Sequence, residues 1–179
     1  MKSDFPIGIF DSGIGGLTVA REITDLMPNE KIVYYGDTLH LPYGQKSKQN
    51  IINYCSKICD FLTKKKCKAI IIACNTASSI ALNNIKNKVG DKYLIFNVID
   101  PVIKKISELK SNNIGIIGTN TTIESGVYEK KIKELEKNYI ISSLATPLLA
   151  PMIESGFHDA SIKKQIITTY LNHKKLKSI

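Results

Sequence analysis

Short apolar runs rich in isoleucine alternate along this chain with longer amphipathic stretches, and that alternation restricts the fold more than any other feature. Ile7-Gly8-Ile9-Phe10, Lys31 to Tyr35, Ala69 to Ala73 and Tyr93 to Ile99 read as strands. Leu17 to Met27, Lys48 to Lys65 and Thr76 to Asn87 read as the helices between them. In the middle helix Ile51, Ile52, Cys55, Ile58, Cys59 and Leu62 recur at helical spacing, which makes one apolar stripe. Ala69-Ile70-Ile71-Ile72-Ala73 has no polar position and reads as a fully buried strand. Strands separated by helices pair in parallel, as βαβ units with right-handed crossovers. The expected class is therefore α/β with mainly parallel sheets.

A second series starts after Asp100-Pro101. It reads as a helix over Val102 to Leu109, a strand over Ile114 to Ile117 that ends in Gly118-Thr119, and a helix over Glu124 to Glu136. A strand over Tyr139 to Ser142, the stretch Leu148 to Glu154 and a helix over Ser161 to Lys174 follow. The expected organisation is two α/β domains, residues 1–99 and 100–179, both incomplete. The two halves match faintly. Ile7-Gly8-Ile9-Phe10-Asp11-Ser12 has the pattern of Ile114-Gly115-Ile116-Ile117-Gly118-Thr119, an offset of 107 that also brings the second strand onto Tyr139 to Ser142. Ile/Gly matches this short arise cheaply by chance. If the repeat is real, the counterpart of Cys74 falls at position 181, past Ile179.

Composition excludes several classes. With 43% hydrophobic and 23% charged residues, 179 residues suit one folded domain or two small ones, not a disordered tail. No apolar run approaches the ~18–20 residues that span a bilayer. Met1 to Asp4 lacks a charged-then-apolar leader, so no secretory signal is expected. The four cysteines, at 55, 59, 67 and 74, crowd one stretch, which speaks for free thiols and a reducing cytoplasm. The net charge of +9 invites a nucleic-acid reading, yet Arg21 is the sole arginine. Base readout and phosphate clamping favour the arginine fork, so no specific nucleic-acid partner is expected.

Ligands of open α/β sheets bind beyond the carboxyl ends of the strands. Asp11-Ser12-Gly13, Pro42-Tyr43-Gly44, Cys74-Asn75-Thr76 and Thr119 to Thr122 lie there. Cys74 closes a strand and precedes a helix, whose N-terminal partial charge stabilises a thiolate. Asn75 and Thr76 supply short polar groups to cap that helix and hold a carboxylate. The competing reading is a buried cysteine acting as a small hydrophobe. Cys55 and Cys59, at i, i+4, are core residues in the absence of further metal ligands, so no metal is expected. Asp11 reads either as a turn residue or as a group that orients an ammonium and assists proton transfer. Gly13, Gly15 and Gly16 let backbone N–H groups approach a ligand. With Asp37 after the next strand they invite a dinucleotide reading, but Thr18 stands where the third glycine belongs. His40, His158 and His173 read as surface or structural residues, and Glu154 as a helix-end carboxylate.

The run Ile7 to Val19 resembles the N-terminal signature of the glutamate racemases. Tyr34-Tyr35-Gly36-Asp37, Leu41-Pro42-Tyr43-Gly44 and Ile72-Ala73-Cys74-Asn75-Thr76-Ala77-Ser78 follow in that family's order. Gly118-Thr119 with Thr122, and Glu154-Ser155-Gly156, match more loosely. The resemblance implies a cofactor-independent enzyme that interconverts L- and D-glutamate, the D isomer serving peptidoglycan synthesis. It implies two α/β domains in pseudo-twofold relation with the active site between them. Cys74 would be one of two catalytic cysteines, on the D-glutamate side, with Asp11 placed to assist it. Asp11, Ser12, Tyr43, Gly44, Asn75, Thr76, Thr119 and Thr122 would line the substrate, and Glu154 would support the acid/base group of the other face. The family's second motif, Cys-Thr-His, does not occur in these residues, nor do the C-terminal elements that return to the first domain. The chain is therefore expected to be truncated and inactive by itself.

Three readings remain: a glutamate racemase, a racemase of aspartate or another acidic amino acid, and an inactive ligand-binding remnant. The expected partner is a small-molecule substrate, with no membrane; a homo-oligomer is left open.

Overall fold

The computed structural model describes residues 4–177. The chain divides into two compact units between Ile99 and Asp100.

In the first unit the strands are β1 (Ile7–Asp11), β2 (Ile32–Gly36), β3 (Ala69–Ile72) and β4 (Leu94–Asn97). They form one parallel sheet in the order β2-β1-β3-β4. The crossovers are α1 (Gly16–Leu26), α2 (Lys48–Lys64) and α3 (Asn75–Val89). Alternation along the strands splits the core between two faces. Ile7, Ile9 and Ala73 pack with Val19, Ala20 and Ile23 of α1. Phe10, Ile70 and Ile72 pack with Ile51, Cys55, Ile58, Cys59 and Leu62 of α2 and with Ala77, Ala81 and Ile85 of α3. The apolar stripe read from α2 is thus core. On β4, at the edge of the sheet, Leu94 and Phe96 are exposed.

The strand order sets the position of a site. From β1 the chain turns one way to reach β2 and the other way to reach β3, so the order reverses at the β1/β3 boundary. Loops that leave two adjacent strands in opposite directions open a crevice at their carboxyl ends, where ligands of such sheets bind.

In the second unit α4 (Ile99–Glu108) leads to β5 (Asn113–Gly118), which pairs in parallel with β6 (Ile140–Ala145). Ile103, Ile106, Ile114, Ile116, Ile132 and Leu144 are its buried hydrophobics. α5 (Asn120–Glu124) and α6 (Val127–Lys133) connect the two strands. α7 (Leu149–Glu154) and α8 (Ala160–Leu171) follow.

Most boundaries shift by a few residues from the sequence expectation, and some shifts have a local cause. The fourth strand stops at Asn97, whose Oδ1 accepts the Ile99 N–H at 2.9 Å and turns the chain into α4. Pro101 then sits in the first turn of that helix, where its missing N–H leaves no bond unmade. The expected helix over Glu124 to Glu136 is broken at Gly126, which has φ +64°. The stretch after Thr119, to which the sequence assigns no element, forms a short helix. Among the described residues no helix is long and apolar enough to cross a membrane.

Candidate active site

Asp11 is the last residue of β1, and Ser12 follows it. Cys74 lies two residues beyond β3. The two strands pair as far as Phe10 and Ile72, and Ala73 N–H continues the ladder to the Phe10 carbonyl at 2.8 Å. That register brings Ser12 Oγ within 3.4 Å of Cys74 Sγ. Asp11 is 5% exposed and Cys74 6%. The site thus forms at the β1/β3 reversal.

Cys74 is itself the N-cap of α3. Its backbone is extended, and its sulfur accepts the Ala77 N–H at 3.4 Å. Asn75 and Thr76 are the first two residues of the helix and not its cap. The thiol is held up to about 11, first by burial and then by the Asp11 carboxylate. The Ser12 hydroxyl, the Ala77 N–H and the Ser12 N–H pull the other way and do not win. The expectation of a thiol made acidic by a helix N-terminus is thereby corrected. The helix end contributes, but desolvation and a neighbouring anion outweigh it.

Asp11 is fixed by its own turn. Its Oδ2 accepts the N–H of Gly16 at 2.8 Å and of Gly13 at 3.2 Å. Two of the amides expected to face a ligand, those of Gly13 and Gly16, therefore bind the protein's own carboxylate, which weakens the dinucleotide reading. Gly16 is needed for close approach: a Cβ there would lie 2.5 Å from Asp11 Cβ.

Tyr43 and Gly44 form a buried 3-10 turn, Tyr43–Gln45, that packs against α3. Tyr43 is 1% exposed and shares a core cluster with Cys55 and Cys74. Its phenol donates to Asp37 Oδ2 at 2.6 Å. Burial first, then that hydrogen bond, hold the phenol far above its ordinary range, so it acts as a donor. Sequence reasoning passed over the Asp37 partnership. Asp37 is buried, and His40 Nδ1 lies 2.8 and 2.9 Å from its two oxygens. The spacing Asp37, His40, Tyr43 was the available signal, but only the folded loop turns all three inward.

Cys55, Cys59 and Cys67 are buried and all four cysteines are unpaired. Burial pushes all three thiols up, Cys59 to about 11. Among the described residues no cluster of three or more His, Cys, Asp or Glu is arranged to hold a metal ion. Thr119 and Thr122 belong to the second unit. Thr119 caps α5, accepting the Thr122 N–H at 3.2 Å and donating to Thr122 Oγ1 at 3.0 Å. Thr119 thus stands after β5 much as Cys74 stands after β3. Glu154 ends α7.

The sequence profile of Asp/Glu/Hydantoin racemases matches residues 17–169. The chain belongs to this family. Among curated members, a protein named glutamate racemase 3 from Caldanaerobacter subterraneus subsp. tengcongensis is 42% identical over 175 residues, 97% of this chain and 62% of the relative. A glutamate racemase of Neisseria meningitidis is 39% identical over 166 residues, 93% of this chain and 62% of the relative. The crystal structure of a glutamate racemase from Francisella tularensis in complex with D-glutamate superposes with a TM-score of 0.89 at 37% identity, over 96% of this chain and 65% of that one. The family fold is therefore present as two α/β units with parallel sheets. The chain spans about 62% of the length of these curated relatives.

Proposed function

We propose that the protein is a glutamate racemase in which Cys74 moves the α-proton on one face of the substrate. The observation that carries this reading is a buried thiol that caps a helix, touches Ser12 and feels the Asp11 carboxylate at the sheet's reversal point. Racemisation needs a base on one face of Cα and an acid on the other. The Cys74 thiolate takes the α-proton: the C–H bond breaks, an S–H bond forms, and the electron pair stays on Cα. A proton delivered to the opposite face completes inversion. The carbanion is stabilised by fixed hydrogen-bond donors and dipoles around the substrate carboxylate. Asn75, Thr76, Ser12 and the Tyr43-Gly44 turn are the residues we assign to that task.

The high resting value of the thiol fits this role. Asp11 disfavours the thiolate while its charge is uncompensated. A substrate ammonium seated on Asp11 cancels that charge, so the base is generated when substrate is bound. An acidic amino acid with a free ammonium is the ligand class that supplies both groups, and the names of the relatives favour glutamate over aspartate. In a cell the D-glutamate would serve peptidoglycan synthesis, in a reducing cytoplasm that keeps the thiol free.

Proton exchange tests the reading more directly than inversion does. In D2O the protein should wash the α-hydrogen out of D-glutamate, seen as loss of the α-proton NMR signal, and Cys74→Ser should not. Chiral chromatography of the same samples reports inversion. Washout absent from wild type, or equal in the two proteins, overturns the assignment.

A further inference from the structure

Behind the Tyr43-Gly44 turn lies a polar chain that the reaction does not use. Asp37 follows β2, and its backbone N–H donates to the Asp11 carbonyl at 2.9 Å, which ties it to the first strand. Its carboxylate sits in the core, 5% exposed, and receives three contacts. Tyr43 O–H donates at 2.6 Å, and His40 Nδ1 lies at 2.8 and 2.9 Å from the two oxygens. A carboxylate in that position fixes Nδ1 as a donor. The imidazole is clamped from the other side by Tyr54 of α2, stacked at 3.9 Å between centroids with 19° between planes. Tyr54 also touches the Tyr43 ring, 5.9 Å away.

Burying a carboxylate is costly unless it is paired and hydrogen-bonded. Two bonds to side chains of its own loop, together with the strand tie, hold the carboxylate in one place. The phenol that answers it carries the backbone of Gly44, the next residue. We propose that Asp37 and His40 are positioning residues: the carboxylate, braced by the imidazole, fixes the Tyr43 phenol and so holds the Tyr43-Gly44 turn against α3 at the Cys74 end of the sheet. The inference rests on the glutamate reading only in what the turn is held for. The strut itself is a property of the free protein.

Two measurements separate the strut from that reading. The first needs no ligand. Amide hydrogen exchange in Asp37→Asn should quicken at Gln45 and Lys46, whose N–H groups close this turn, by about tenfold, the scale of one charge-assisted hydrogen bond. The amides of α2 and α3 should keep their wild-type rates. His40→Phe, which keeps the ring on Tyr54 but loses Nδ1, should loosen the same segment. His40→Asn should restore it, because its amide nitrogen can donate from nearly the place of Nδ1. The second measurement is D-glutamate affinity by calorimetry in wild type, Asp37→Asn, Tyr43→Phe and the double variant. If Asp37 acts through Tyr43, the double variant binds no worse than the weaker single one. Unchanged exchange at 45–46, exchange raised throughout the first unit, or losses of affinity that multiply would each overturn the strut. If wild type binds no glutamate, the proposed function falls, and the strut is judged on the exchange rates and the His40 rescue alone.

Discussion

Replacing Gly16 by alanine puts a methyl group where the first unit has no room. The new Cβ would stand 2.5 Å from Asp11 Cβ, 2.9 Å from the Tyr34 phenol oxygen and 3.0 Å from Ala73 Cβ. The phenol can swing away. The other two atoms are one bond from strand backbone and cannot. Carbon atoms rest at ~3.5–4.0 Å, so the start of α1 must retreat by about 1 Å. That retreat takes the Gly16 N–H, now 2.8 Å from Asp11 Oδ2, out of hydrogen-bond range. Overpacking costs about 1–3 kcal/mol and loss of a hydrogen bond to a charged group about 1.5–3 kcal/mol. One movement relieves the first by incurring the second, so the sum is not additive and a loss of about 2–4 kcal/mol is expected. At ~4–8 °C per kcal/mol for a unit of residues 1–99, its melting temperature should fall by roughly 10–30 °C. Gly15→Ala is the control. Its Cβ would meet only Asp11 Oδ2, at 3.6 Å, on a backbone that is already helical. It should stay within about 1 kcal/mol of wild type. Urea unfolding followed by circular dichroism measures both. If the two variants lose the same stability, or Gly16→Ala loses less than about 0.5 kcal/mol, the packing argument is wrong.

Further outcomes are expected of the site. Cys74→Ser should cut α-proton exchange by at least ~10²-fold, since a hydroxyl is a far weaker base than a thiolate, whereas Cys55→Ser should leave it near wild type. Asp11→Asn removes one upward influence on the Cys74 thiol, so peptide-resolved iodoacetamide labelling at Cys74 should speed up at pH 8.5; slower labelling would contradict the assigned electrostatics. Cys59 and Cys74 hold their protons to about 11 when folded, against an ordinary value of 9.0. The folded state binds those protons more tightly, so their contribution to stability is complete below about pH 9 and is lost as pH rises to 11. The urea midpoint should fall across that window, and a flat profile would argue against both shifts.

The elements were largely legible because apolar runs and helical stripes are local signals. Among the described residues the six strands lie within a few residues of their sequence positions, and the stripe from Ile51 to Leu62 faces the core. The faint repeat also has a structural counterpart, for β5 and β6 pair in parallel as β1 and β2 do. What failed depended on side-chain contacts that apolar periodicity does not show. Val98 and Ile99 look like strand until the Asn97 side chain turns the backbone. The helix end beside Cys74, the buried-cysteine alternative and a nearby Asp11 were all legible in sequence, but which influence on the thiol prevails was not. His40 reads as a surface or structural histidine, and the structural reading holds, but the sequence does not name its partner Asp37.

The sulfur of Cys74 has a second duty, since it also caps α3. Serine is a preferred cap and cysteine is not, so a hydroxyl at this position would start the helix at least as well. One nucleotide change separates the two codons. A lineage that no longer used the thiol would meet that change often and find no reason in helix capping to reject it. If residue 74 stays cysteine among natural variants, capping of α3 is not what keeps it. A survey of natural variants of this gene would show whether residue 74 drifts to serine while neighbouring core positions hold.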